Sequence, residues 1–195
     1  MELKKSLFLD YLLEANGLHD LQFDQWVFYP GMLLNSTHRW WGDGGERSRP
    51  HEGIDICFYR DRAGNLQRLG TSTRIPVMYA GEVVQIVDDY LGRSIFVGHE
   101  LRDGDGNRLH TVYGHTDEQQ SVRTGSVIGN REIIATVSDA SKKNRAMPPH
   151  LHLTVAWIPP YHPAQLSWKT LQASGTILVD PLMLIECTYS LLPER

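Results

Sequence analysis

Two histidines in alternate positions, His150 and His152, are the residues whose spacing most directly suggests a chemical site. They lie in the run PPHLHLTV at 148–155, whose alternation predicts a β-strand with both imidazoles on one face and the apolar side chains on the other. Their Cα atoms would be about 6.6 Å apart, so that one imidazole could bind a metal while the other stands beside a metal-bound water. The same pattern is also compatible with an ordinary polar strand surface.

A histidine and a carboxylate four positions apart, His51 and Asp55 in the run HEGID, form the second candidate. Apolar residues alternate after this run and predict a strand that begins near Asp55. In a fully extended chain the two Cα atoms would be about 13 Å apart, too far for both side chains to reach one Zn²⁺ through bonds of about 2.1 Å. The chain therefore has to bend, and we expect Gly53 to adopt the backbone angles of a tight turn.

A further histidine, His115, ends the run TVYGH at 111–115. Strand alternation would place Tyr113 and His115 on one face, with Gly114 leaving room beside them. The remaining histidines have no matching partners, and we interpret them as surface groups or hydrogen-bonded core groups: His19, His38, His99, His110 and His162.

Three types of neighbouring residue have a structural and a functional interpretation. We expect Glu52 to face solvent, because the general base of an HExxH motif depends on a helix and this run predicts a strand. Trp40 and Trp41 are expected to pack over the N-terminal part of the chain, with a wall for substrate as the alternative. Cys57 and Cys187 are interpreted as apolar filler, the alternatives being a disulfide between them or a place for Cys57 near the metal.

The order of secondary-structure signals predicts a mainly β fold. Residues 50–157 contain short β-branched runs separated by glycines, which is typical of antiparallel strands. Residues 3–18 predict a short helix that ends at Gly17. The run DGDGN at 103–107 predicts a hairpin tip, because Arg108 occupies the position where a calcium-binding loop requires glycine.

The succession of HEGID, VYGH and HLH resembles the lysostaphin-like or LytM-type zinc endopeptidases, which cleave peptide cross-links of bacterial cell walls. The resemblance extends from about residue 51 to 155. It implies an antiparallel sheet or barrel-sandwich, with the duplicated hybrid motif of that family and a short N-terminal helix. It also implies one Zn²⁺ per chain, held by His51, Asp55 and His152, with His115 and His150 as the catalytic pair.

Together, length and resemblance predict one domain over 1–195: a helix and lead-in at 1–45, the metallopeptidase core at 46–158, and a C-terminal extension packed on the core at 159–195. The family usually reads Tyr-Ala-His-Leu where this chain has YGHT at 113–116. A charged loop at 141–145 replaces its usual glycine-rich stretch, and the hairpin at 60–74 is expanded. These segments would line the substrate-binding groove, so they would influence which substrate is bound.

The expected chemistry is hydrolysis of peptide bonds, in peptidoglycan cross-links or stem peptides, by metal-activated water. A hydrolytic zinc needs three protein ligands and one open position, where the pKa of bound water falls to about 7. His115 and His150 would then take up the proton of the water, stabilise the intermediate and return a proton to the leaving amine. Their individual roles do not follow from the sequence.

Four alternatives remain at this stage. The first is a non-catalytic domain that binds a partner in the same groove, and the second is a zinc hydrolase acting on a peptide outside the cell wall. The third is a cupin-like enzyme, which would require a glutamate near Val155 and Ala156. The fourth is a site of three histidines, with His115 as the third ligand and Asp55 outside it.

Composition excludes other classes of partner. Charged residues make up 22% of the chain and the net charge is -4, so no basic field would attract nucleic acid. No segment approaches the roughly 20 apolar residues of a membrane span. Asp10 and Glu14 interrupt the opening stretch, which therefore does not predict a secretory signal. Localisation and oligomeric state stay open.

Overall fold

The computed structural model describes residues 3–139, 147–161 and 165–193. The charged loop at 141–145 and His162 lie outside the described residues. The predicted mainly β, antiparallel fold is confirmed. Three α-helices occur in the described ranges, α1 (Phe8–Asn16), α2 (Trp168–Leu171) and α3 (Pro181–Leu184), together with strands β1 (Phe23–Phe28), β2 (Ile54–Ile56), β3 (Phe58–Asp61), β4 (Leu66–Arg68), β5 (Arg74–Pro76), β6 (Gly81–Asp88), β7 (Arg93–Arg102), β8 (Arg108–Glu118), β9 (Val127–Ile128), β10 (Ile133–Val137), β11 (Leu151–Ile158), β12 (Ile177–Val179) and β13 (Tyr189–Leu191).

The N-terminal helix α1 ends where the sequence predicts. Gly17 adopts the left-handed conformation, with φ of 60°, and the chain then leaves the helix. The helix buries one apolar face formed by Phe8, Leu9, Leu12 and Leu13. Phe8 lies against Tyr113 of β8, with ring centroids 6.2 Å apart, so the helix packs on the sheet that carries the candidate site.

Two sheets make up the β structure. The larger has the order β12-β11-β8-β7-β6-β9, with β2 paired to β11 and with β10 bridging β5 and β8. The smaller has the order β13-β1-β3-β4. Neighbouring strands are antiparallel except for β1 and β13, which run parallel.

Strand β11 lies in the larger sheet between β8 on one side and β2 and β12 on the other, and all eight of its residues are buried. Its first residues pair with β2 on one side and β8 on the other, so His152 lies opposite Asp55 and also opposite Gly114. The HLH and HEGID motifs are therefore brought together by strand pairing.

The run at 103–107 is a hairpin tip between β7 and β8, as predicted. The Asp103 carboxylate accepts hydrogen bonds from the backbone N–H groups of Asp105 and Asn107 and from the Asn107 side chain. Its oxygens are thus engaged within the turn, which is the usual role of aspartate in such a loop.

None of the helices in the described ranges is long and apolar enough to cross a membrane.

Candidate metal centre and its cleft

Three buried side chains meet where β2 pairs with β11: His51 from the loop before β2, Asp55 in β2, and His152 in β11. His51 Nε2 lies 3.1 Å from Asp55 Oδ1 and 3.0 Å from His152 Nδ1. His152 Nδ1 lies 3.0 Å from the same carboxylate oxygen. In a tetrahedral zinc site with bonds of about 2.0–2.1 Å the ligand atoms are about 3.3 Å apart, so these three atoms form a triangle close to the required size.

The outer nitrogens of both triangle histidines have partners. His51 Nδ1 lies 3.1 Å from the carbonyl oxygen of Leu33, and His152 Nε2 lies 2.8 Å from the hydroxyl of Thr154. With a ring N–H on each outer nitrogen, the lone pairs of His51 Nε2 and His152 Nδ1 would face a metal ion in the triangle, whereas without the ion these inner nitrogens are placed to donate to Asp55 Oδ1. The tautomers that these contacts favour are those a metal ion requires.

The outer oxygen of Asp55 is held by Trp40 and Arg47. The indole Nε1 of Trp40 donates a hydrogen bond of 2.6 Å to Asp55 Oδ2, and Arg47 lies 3.5 Å from the same atom. Trp40 is buried in the core cluster that includes the N-terminal helix, and its indole in addition positions the carboxylate, a contact that the sequence did not predict. The neighbouring Trp41 lines the cleft, with the Arg47 guanidinium 4.6 Å above its ring.

Burial of Asp55 raises the pKa of its carboxyl group, but the surrounding histidines outweigh this effect. His51 and His150 attract the ionised carboxylate, and His152 and His51 hydrogen-bond to it, so its pKa lies well below the ordinary value. The carboxylate is therefore ionised and available as a ligand at neutral pH.

Gly53 lies at the predicted bend, but for a different reason from the one expected. Its φ is outside the left-handed region. A Cβ at this position would lie 2.2 Å from the carbonyl oxygen of Leu153 and 2.8 Å from the Thr154 hydroxyl. Glycine is thus needed because the HEGID segment passes directly against the backbone of β11, not because a tight turn demands unusual angles.

His150 immediately precedes β11 and is buried beside the triangle. Its Nδ1 lies 2.9 Å from the carbonyl oxygen of Pro148, and its Nε2 lies 3.6 Å from Asp55 Oδ1. Burial lowers the pKa of His150 to about 4, although the Asp55 carboxylate partly opposes this shift. His150 is therefore neutral at neutral pH, with Nε2 available as a proton acceptor.

His115 reaches the site through a β-bulge, which the sequence interpretation missed. Gly114 and His115 together oppose the single residue Ser94 of β7, and His115 has φ of 63°. Tyr113 points into the core, whereas the His115 ring lies 4.9 Å from that of His150. The prediction that Tyr113 and His115 share a face was wrong, because the bulge interrupts the alternation and re-aims the histidine.

Asp89 is a buried residue of this site that sequence reasoning did not find. Its carboxylate accepts hydrogen bonds from the backbone N–H of His115 and from the Ser94 hydroxyl, and its Oδ1 lies 3.2 Å from His115 Nδ1. Burial raises the pKa of Asp89, but these contacts outweigh it and hold that pKa well below its ordinary value. Asp89 also accepts from the N–H groups of Leu91 and Gly92, a turn pattern that was the only local signal.

A cleft of about 230 Å³ lies over the triangle. His115 and His150 line it together with the three triangle residues, and its walls are formed by Trp41, Arg47, Glu52, Asp89, Tyr90, Met147 and Trp168. Glu52 is half-buried and accepts a hydrogen bond of 2.6 Å from the Gln172 side chain, so it is not simply solvent-facing as expected. Residues before β2 and after β11 thus contribute to the cleft.

Cys187 forms no disulfide within the described residues, so the alternative of a bridge between it and Cys57 does not hold. Cys57 is buried, and its Sγ lies 3.5 Å from the carbonyl oxygen of Pro149, outside the group that could hold a metal. The other histidines behave as interpreted: His99 and His110 are buried and hydrogen-bonded, and His19 and His38 are exposed.

Comparison with known proteins places this site in a family. The sequence profile of Peptidase family M23 matches residues 49–161, which is more than half of the chain. The chain belongs to peptidase family M23. The matched segment of this M23 chain contains the triangle, His115, His150 and Asp89, but neither Trp40 and Arg47 before it nor Trp168 after it.

Solved structures of M23 proteins resemble this member at low sequence identity. A mutant catalytic domain of the prophage-encoded M23 protein EnpA from Enterococcus faecalis is 21% identical, with 79% of this chain and 92% of that chain covered and a TM-score of 0.42. LytU is also 21% identical, with coverages of 70% and 81% and a TM-score of 0.43. The catalytic domain of the antimicrobial peptidase lysostaphin from Staphylococcus simulans is 15% identical, with coverages of 82% and 98% and a TM-score of 0.42. Among curated proteins, none matches the chain.

Proposed function

We propose that this M23 member is a zinc-dependent endopeptidase that hydrolyses peptide bonds of peptidoglycan cross-links or stem peptides. One zinc per chain would be held by His51, Asp55 and His152. The observation that carries this proposal is the triangle of ligand atoms, each 3.0–3.1 Å from the other two. Its family membership supports the peptidase activity.

The donor set fits zinc. Two imidazole nitrogens and one carboxylate oxygen are common zinc ligands, and together they leave one formal positive charge on the site. Because the outer atoms of all three residues already have partners, three lone pairs can converge on an ion in a buried space. Such a convergence is costly by itself and is stabilised by a cation. Asp55 lies within 3.1 Å of both triangle histidines, which favours it over His115 as the third ligand.

Zinc bound there would polarise the peptide carbonyl and lower the pKa of a bound water to about 7. The neutral His150 is the suitable group to take up a proton at Nε2, because its Nδ1–H is directed to the Pro148 carbonyl. His115 is the suitable group to hold and return a proton, since the Asp89 carboxylate lies 3.2 Å from its Nδ1 and orients the ring. Asp89 would act as a positioning residue through His115.

Metal analysis combined with hydrolysis tests this proposal. The purified protein is expected to contain about one zinc per chain, to lose hydrolysis on treatment with a chelator, and to regain it with zinc. The substrates are a panel of glycine-rich and D-Ala-containing peptides. His51→Ala should abolish both zinc and hydrolysis, whereas the exposed His19→Ala serves as the matched histidine control and should retain both.

Two outcomes separate the parts of the proposal. A protein that purifies without zinc and cannot be reconstituted would contradict the metal site itself. A zinc-containing protein that cleaves none of the peptides would support the metal site but not the proposed substrate. It would favour hydrolysis of a peptide outside the cell wall, or binding of a partner, as the function.

A further inference from the structure

The C-terminal segment that follows the M23 match places an indole directly against the metal centre. The ring of Trp168, the first residue of α2, lies 5.0 Å from the His152 ring in an edge-on arrangement. Its Nε1 donates a hydrogen bond of 3.1 Å to the Ser94 hydroxyl, which in turn donates to Asp89 Oδ2 at 2.6 Å. The indole is therefore anchored to the network that positions His115.

The space for this indole depends on Gly114. A Cβ at that position would lie 3.1 Å from Trp168 Cζ2 and 3.3 Å from the Cβ of His152, closer than ordinary contact. Gly114 stands where the resembling peptidases usually have alanine. Because Gly114 has no Cβ, the indole of Trp168 can pack closely against β8, the strand that carries His115.

Side-chain contacts on the other side of the cleft hold the same segment in place. Gln172 accepts a hydrogen bond from Arg49 and donates one to Glu52, both in the HEGID region before β2. Leu171 is buried between these contacts and the indole. The segment therefore forms a continuous wall from β7 and β8 to the loop that carries His51, attached at both ends.

We infer that Trp168 is a specificity-determining residue, which restricts the substrate residue on the His152 side of the metal centre to a small side chain such as glycine or alanine. This inference rests on the proposed peptidase function. A fixed aromatic wall sterically excludes large side chains of the substrate. In a close-fitting pocket, one additional methylene group on the substrate changes kcat/KM by about 10- to 200-fold. Trp41 lines the same cleft but packs with Leu91 and Met147, so it would contact a different part of the substrate.

Peptides that carry either glycine or leucine at each position flanking the scissile bond test this inference. The wild-type protein is expected to prefer glycine at one of these positions by at least about 10-fold in kcat/KM. Trp168→Ala should reduce that preference by about 10-fold or more through faster cleavage of the leucine peptide, and Trp168→Phe should have a smaller effect. Trp41→Ala, at the tryptophan that packs with Leu91 and Met147 and not on His152, is the matched control and should leave the preference at that position unchanged.

The zinc content and thermal melting of each variant show whether the centre remains intact. If Trp168→Ala does not fold, Gly114→Ala provides an independent variant, because its Cβ must displace the indole and should change the same preference. If the wild-type protein cleaves no peptide, the proposed function fails separately, and calorimetry then compares how tightly the two peptides bind to each zinc-loaded variant. An unchanged preference, in cleavage or in binding, in a folded zinc-containing Trp168→Ala protein would overturn the inference.

Discussion

The triangle of His51, Asp55 and His152 and the pair of histidines beside it, His115 and His150, are positioned by different means. Regular pairing of β2 with β11 aligns Asp55 with His152, and each triangle side chain has a second partner behind it. His115 instead depends on a β-bulge and on a carboxylate from the turn after β6. Two of the three proposed zinc ligands thus lie in paired strands, whereas the position of His115, proposed to transfer a proton, depends on an irregularity of the sheet. Metal binding and catalysis should therefore be separable by mutation.

The largest expected effect comes from the triangle. His152→Ala removes one of three ligands and leaves Asp55 and His51 with an incomplete centre. Zinc affinity should fall by more than about 100-fold, because loss of an outer partner alone can cost up to that amount. Chelator competition measures the affinity, and hydrolysis should fall to background in parallel. Retention of stoichiometric zinc would remove His152 from the ligand set.

Substitution of His150, one of the two histidines beside the triangle, should reduce hydrolysis without loss of zinc. His150→Ala removes a proton acceptor without removing a ligand, so kcat should fall by about 10²- to 10⁴-fold. Zinc content should stay near one per chain, as shown by metal analysis of the same preparation. Loss of zinc together with activity would mean that His150 belongs functionally to the triangle.

Asp89→Asn tests the carboxylate behind His115. The asparagine keeps the size of the side chain and an oxygen for the backbone N–H, but it places no negative charge beside His115 Nδ1. We expect kcat to fall by about 10- to 100-fold, with KM and zinc content unchanged. A change confined to KM or to the melting temperature would indicate a merely structural role.

Trp40→Phe tests the hydrogen bond that holds Asp55, one of the proposed zinc ligands. The ring is retained but the N–H donor to Asp55 Oδ2 is lost, so zinc affinity should fall by about 10- to 100-fold. The buried Trp26→Phe is the matched control and should bind zinc as the wild-type protein does. Equal affinities for the two variants in chelator competition would show that the indole does not support the ligand.

His110 provides the smallest effect and a reference outside both halves. Burial lowers the pKa of His110 to about 4, whereas an unfolded histidine titrates near about 6.5. Between these values the unfolded chain binds the proton and the folded chain does not. The contribution to stability is therefore complete above about pH 6.5, is lost as the pH falls towards 4, and amounts to about 3 kcal/mol.

His110→Gln should flatten the pH dependence of the free energy of unfolding by up to about 1.4 kcal/mol per pH unit between pH 6.5 and 4. Denaturant unfolding at several pH values measures this difference. Parallel curves for the two proteins would show that His110 titrates normally in the folded state.

The β-sheet was predictable because it follows from local periodicity, whereas the choice of His51, Asp55 and His152 as the ligand set came from the family resemblance. The alternation around His152 and after Asp55 reflects strand geometry, and the two motifs could only make a metal site if they met. The short helix ending at Gly17 was predicted for the same reason. Family resemblance added the expected roles of His115 and His150.

The parts that were not predicted depend on contacts between distant segments. Asp89 lies 26 positions from His115, and Trp168 lies 74 positions from the Ser94 hydroxyl it binds. Neither contact leaves a periodic pattern. The bulge places the His115 side chain on the face opposite to the one that strand alternation predicts. The need for glycine at position 53 follows from the tertiary structure, in which a Cβ there would lie 2.2 Å from the carbonyl oxygen of Leu153. Such features belong to tertiary packing.

The unequal support of the two triangle histidines has a kinetic consequence. His152 lies in a strand paired on both sides, whereas His51 lies in a loop before β2, a strand of three residues whose partner is β11. Local opening requires least free energy where few backbone hydrogen bonds must break. Metal exchange would therefore begin by release of the His51 segment while β11 stays closed. The lifetime of the bound ion would follow the opening rate of one short strand and not the rate of global unfolding.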